Sequence, residues 1–101
     1  MSKAVLQPAE LRGLLKSFKE QHGEEYHLLA LGYFGSYARN EATPESDVDV
    51  VFRTDRPDLF ITAMLRQDLE GLLDHPVDIV RLRESMNPRL KARIEREATY
   101  V

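Results

Sequence analysis

The apolar residues fall into blocks whose spacing alternates between helix and strand. Leu11, Leu14, Leu15 and Phe18 recur at i, i+3, i+4 and i+7 and predict a helix over residues 7–21. Pro8 suits its first turn, and Gly23 ends it. Residues 25–34, EYHLLALGYF, form a short apolar run with aromatics at both ends, which predicts a strand stopped by Gly35 and Ser36. SYARNEA, residues 36–42, predicts a brief helix before the loop at Thr43 and Pro44. DVDVVFRT, residues 47–54, alternates and is β-branched, the pattern of a strand. Residues 57–74 read as a long helix opened by Pro57, with Phe60, Met64, Leu65, Leu69, Leu72 and Leu73 along its inner side. HPVDIVRL, residues 75–82, is a third strand. Residues 87–98 are a final helix with Asn87 as N-cap, Pro88 first, and Leu90, Ile94 and Ala98 inward. Helices alternating with strands imply an α/β (α+β) fold, a sheet flanked by helices. Strand order stays open, and a mixed sheet fits as well as a parallel one.

Composition narrows the function. A chain of 101 residues suggests a single domain over 1–101. A domain of that size buries about 60–65% of its unfolded surface, enough for one core but not for a deep enclosed pocket as well. The net charge of −3 argues against direct nucleic-acid binding, which needs many phosphate-neutralising cations. Cysteine is absent, so disulfides and thiolate metal sites are excluded. No apolar run approaches the ~20 residues of a membrane span. The first residues lack the apolar core of a signal peptide, so the expected location is the cytoplasm.

Two like charges stand out on the second strand. Asp47 and Asp49 project to one face, roughly 6.5–7 Å apart at Cα, while Val48, Val50 and Phe52 project to the other. Paired carboxylates repel, and partial burial adds a desolvation cost. A divalent cation relieves both, and oxygen-only ligands suit Mg²⁺ or Mn²⁺ rather than zinc. Asp78 interrupts the third strand and faces away from Val77 and Ile79. If the strands of Asp49 and Asp78 are neighbours, about 4.8 Å apart, three acids could converge on one or two metals. Such sites catalyse in-line displacement at phosphorus. The bland alternatives are a solvated strand end for Asp47 and Asp49, and for Asp78 a cap or a pairing with Arg81 or Arg83.

Upstream, Gly35 and Ser36 follow a strand and offer backbone N–H groups and a hydroxyl to a phosphate, and Gly35 permits close approach. Arg39 could add charge to that cradle, or pair with Glu41 or Glu45 at the surface. A Gly-Ser turn alone is common; the order Gly-Ser, Asp-x-Asp, Asp is specific. His22, His27 and His75 share no metal-ligand spacing and read as structural or surface residues, and Tyr26, Tyr33, Tyr37 and Tyr100 as packing residues. Residues 81–96 are locally basic, either a solvated helix face or a docking surface for an acidic partner.

GSYARNEATPESDVDVVF resembles the signature of the DNA polymerase β-like nucleotidyltransferase superfamily. Ala-Arg after Gly-Ser and the length near 100 residues resemble its minimal nucleotidyltransferases, encoded beside a HEPN-domain partner in prokaryotic toxin–antitoxin pairs. The resemblance implies a mixed sheet flanked by helices. It implies that Gly35 and Ser36 contact phosphate, that Asp47 and Asp49 bind metal, and that Asp78 is the third acid, which helps activate the attacking hydroxyl. Arg39 matches the arginine of the motif. The implied cofactor is Mg²⁺, with Mn²⁺ as a substitute, and the implied substrate is ATP. The implied reaction moves AMP to a hydroxyl, a tyrosine of the HEPN toxin, in a hetero-oligomer where this chain is the antitoxin. Asn40 departs from the Gly usual after Ala-Arg, yet Asn is the residue that best tolerates positive φ after Gly. Larger members carry a further domain, so here a partner is expected to complete the site. Two alternatives stand beside this: neutralisation of the partner by binding alone, and transfer to a small molecule such as an aminoglycoside, for which the chain leaves little room.

Overall fold

The computed structural model describes residues 4–101. In chain order the elements are α1 (Pro8–His22), β1 (Leu28–Phe34), β2 (Val48–Thr54), α2 (Leu59–Leu73), β3 (Val77–Arg81), α3 (Pro88–Glu97) and β4 (Thr99–Tyr100). They form a four-stranded mixed sheet in the order β3-β2-β1-β4. β1 runs antiparallel to β2 and to β4, and β2 runs parallel to β3. The parallel pair is joined by α2, the crossover such a pairing requires.

Strand alternation sorts the side chains between two cores. Val48, Val50 and Phe52 of β2 face α1 and α2, packing with Leu11, Leu15, Leu65, Leu69 and Leu73. Val51 faces the other way and packs with Phe34 and with Ile94 of α3. α3 is polar apart from this one stripe, so Ile94, with no exposed surface, is its main anchor. Its start is fixed by the Asn87 side chain, which accepts from the Arg89 and Leu90 amides at 2.9 and 3.2 Å. Ile94→Ala is expected to cost about 2–5 kcal/mol in chemical unfolding.

Four expectations need correction. Residues 36–42 form turns and irregular backbone, not a helix. Their path is set by positive φ at Gly35 (+72°) and at Asn40 (59°), where the Asn does what the missing Gly would do. β1 begins at Leu28 because His27 takes φ 53° and breaks the extended run. Tyr26 is instead a buried packing residue, stacked 5.8 Å from Phe18, with its hydroxyl donating to Asp68. α2 is opened by Asp58, whose carboxylate accepts from the Phe60 and Ile61 amides, and not by Pro57. Along α2 the buried stripe is Leu65, Leu69 and Leu73, while Phe60, Met64 and Leu72 are exposed. Spacing of four residues aligns one row on the sheet and leaves the excess apolar residues outside it.

The buried His75 is structural, its ring nitrogens 2.7 and 2.8 Å from the Leu73 and Ala4 carbonyl oxygens. Among the described residues no helix is long and apolar enough to cross a membrane.

Candidate functional site

The parallel register of β2 and β3 sets Asp49 directly beside Asp78. Both lie on the face that carries Val51 and α3, opposite the main core. Neighbouring strands are about 4.8 Å apart, so the two side chains leave the sheet close together. Asp47 precedes β2 by one residue and is exposed, as is Asp78, while Asp49 is half-buried. Burial is the main influence that raises the Asp49 carboxyl above its ordinary value. The charge of Asp78 adds to it, Arg93 opposes, and smaller effects come from Asp47 upward and Arg39 downward.

β1 brings the Gly-Ser turn to the same place. Phe34 pairs with Asp49 across the antiparallel ladder, so Gly35 and Ser36 follow immediately beside it. The approach is closer than a Cβ permits. A methyl group at Gly35 would stand 2.0 Å from Asp49 Oδ2. Ser36 is partly exposed at the start of the turn.

Arg39 is not a free cation. Its Nε donates to Glu41 at 3.2 Å, the surface alternative to a phosphate contact, and its Nη1 donates to both oxygens of Glu97 at 3.1 Å. Glu97 sits at the end of α3 and also accepts from the Gly35 amide at 3.2 Å and from Arg93 Nε at 3.3 Å. Arg93 in turn lies over the Phe34 ring, 5.8 Å from its centre. Burial works to raise the Glu97 carboxyl, but the hydrogen bonds from Arg39 and the Gly35 amide hold it below the usual range. Arg93 and Glu97 were not among the expected site residues. Their i, i+4 spacing signals an ion pair on a helix, but nothing local says that α3 lays the pair over the Gly-Ser turn.

The three acids make an oxygen-only donor set with a surplus of negative charge, which fits Mg²⁺ or Mn²⁺. As the side chains stand, no group of three or more acidic or imidazole groups among the described residues is gathered tightly enough to hold an ion. Asp47 and Asp78 are exposed, so rotation about their own side-chain bonds changes their reach.

A family model described as nucleotidyltransferase domain matches residues 11–101. Protein adenylyltransferase MntA of Thermococcus cleftensis is 33% identical over 99 residues, covering 97% of this chain and 99% of that protein. A Methanocaldococcus jannaschii protein provisionally named a protein adenylyltransferase is 33% identical over 94 residues, covering 92% of this chain and 96% of its own. A solved structure provisionally described as a minimal nucleotidyltransferase superposes with a TM-score of 0.79 at 32% identity, over 96% of this chain and 98% of the other. A crystal structure of a toxin–antitoxin with AMP-PNP superposes with a TM-score of 0.69 at 25% identity, over 94% and 72%. The chain belongs to the nucleotidyltransferases, with the polymerase β-like fold of their minimal members.

Proposed function

We propose that the chain transfers the adenylyl group of ATP to a hydroxyl, a tyrosine, of a partner HEPN toxin and so acts as its antitoxin. The observation that carries this is the meeting of Asp49, Asp78 and the Gly35 turn on one face of the sheet. The relatives support the donor and the setting: one is named a protein adenylyltransferase, and a structural neighbour is a toxin–antitoxin with AMP-PNP.

In this reading the Ser36 hydroxyl and the backbone N–H groups of the turn hold the triphosphate, with Arg39 beside them. Asp47, Asp49 and Asp78 would hold Mg²⁺, which when bound would neutralise charge on the phosphates and favour loss of the acceptor's proton. Asp78, at the outer strand, faces the acceptor. The acceptor oxygen bonds to the α-phosphorus as the bond to the β-phosphate oxygen breaks, and pyrophosphate leaves. Positioning and electrostatics supply most of the acceleration in such transfers. The open face of a small domain leaves the acceptor to be delivered by the partner, in a hetero-oligomer.

The test is incubation with ATP labelled at the α-phosphate and the partner toxin. Label should move to the toxin, and Asp47→Asn/Asp49→Asn should remove the signal. Undiminished transfer by the double variant would refute the assignment.

A second reading is favoured by Leu59 and Phe60, which open α2 at 89% and 80% exposure. Large apolar side chains left in water are fit for a protein interface. Here the chain neutralises the toxin by covering it, and the double variant protects cells as well as the wild type.

A further inference from the structure

We infer that Glu97 is a built-in stand-in for phosphate, a carboxylate that occupies the Gly35 amide and the Arg39 guanidinium and must yield them to the incoming triphosphate. The inference rests on the proposed nucleotide site and adds to it a residue outside the signature segment.

The geometry is that of a bound anion. One carboxylate, only 14% exposed, collects the Gly35 amide at 3.2 Å, Arg39 Nη1 on both oxygens at 3.1 Å, and Arg93 Nε at 3.3 Å. A backbone N–H at a Gly turn and converging guanidinium groups are the donors that recognise phosphate oxygens. Here they come from two separate segments, the turn after β1 and the last turns of α3. The arrangement has two consequences. Glu97 ties up Arg39 and Arg93, whose charges also act on Asp49. It also cancels part of the positive charge that would draw a triphosphate in. A polyanion that takes over Arg39 brings more negative charge than one carboxylate, so the exchange runs forward when nucleotide is present. Release of Glu97 then loosens the end of α3, which links nucleotide binding to the position of that helix.

Glu97→Gln keeps the shape and an acceptor oxygen for Gly35 while removing the competing charge. Titration of the full chain with inorganic tripolyphosphate and with ATP, each with Mg²⁺, should show binding roughly two- to fivefold tighter in Glu97→Gln than in wild type. Unchanged or weaker binding overturns the inference and makes Glu97 a plain pin between turn and helix. A measurement on the wild type covers the case in which the variant fails to fold. The Glu97 side-chain carboxyl carbon resonance should move toward its ordinary ionisation behaviour at saturating tripolyphosphate, and an unmoved resonance overturns the inference. Arg39→Ala separates the two levels of the argument. Binding that weakens in Arg39→Ala but does not tighten in Glu97→Gln retires Glu97 alone. A wild type that binds neither tripolyphosphate nor ATP retires the nucleotide site and Glu97 together.

Discussion

On the proposed function, Asp49→Asn is expected to cut adenylyl transfer by about a thousandfold or more, because the cation that Asp49 would help hold would supply several kcal/mol of charge stabilisation. The same change should make the fold more stable at neutral pH. Burial, with Asp78 alongside, raises the Asp49 carboxyl above its ordinary value of 3.8, so the native state favours the protonated form. The stability contributed by Asp49 is fully present below that ordinary value and is lost as pH rises through the raised native one. Asn imitates the neutral carboxyl and loses nothing over that interval. Thermal unfolding of the two proteins should therefore coincide at about pH 3 and diverge in favour of the variant as the pH climbs past the carboxylate range. On the proposed function, Mg²⁺ should narrow the gap by stabilising the wild type more than the variant. A variant less stable than wild type at neutral pH would mean that the ionised carboxylate is already held by a favourable contact.

That pairing of lost activity with gained stability reflects what the sequence shows and what it hides. The alternation from Asp47 to Phe52 shows which side chains share a face, since the period of a strand is two. It does not show which strand lies alongside, and the apposition of Asp49 with Asp78 appears only once α2 has carried the chain across to a parallel neighbour. The Gly-Ser turn is legible because Gly35 must take positive φ, and Asn40 because few other residues can. The outer apolar residues of α2 mislead for a physical reason. Phe60, Met64 and Leu72 are as hydrophobic as Leu65 and Leu69, and composition cannot tell a core row from a surface one. β4 spans two residues, too few for any periodicity to register. Glu97 is hidden most completely. Its partners Gly35 and Arg39 lie some sixty positions earlier, and the packing of Ile94 on Phe34 and Val51, with the pairing of β4 on β1, brings it to them.

Gly35→Ala is expected to damage both the fold and the chemistry, and so to be separable from Asp49→Asn by the sign of its effect on stability. The backbone there has φ +72°, a conformation that costs an L-residue roughly 1–2 kcal/mol. The added methyl would also stand 2.0 Å from Asp49 Oδ2 and 3.0 Å from its Cγ, so the carboxylate must swing aside. Swinging it aside breaks the line with Asp78 on which the proposed metal and phosphate contacts depend. Misplacement on the ångström scale costs about a hundredfold in transfer. Unfolding should occur at lower temperature than in wild type, and label transfer should fall together with ATP binding. A Gly35→Ala protein of wild-type activity and stability would show that the turn does not hold Asp49 in place. The stronger test pairs it with Asp49→Gly, which removes the clashing side chain. In that background the alanine should cost only its backbone strain, so the two substitutions couple; strict additivity would assign the whole loss to the backbone and none to the contact between turn and acid.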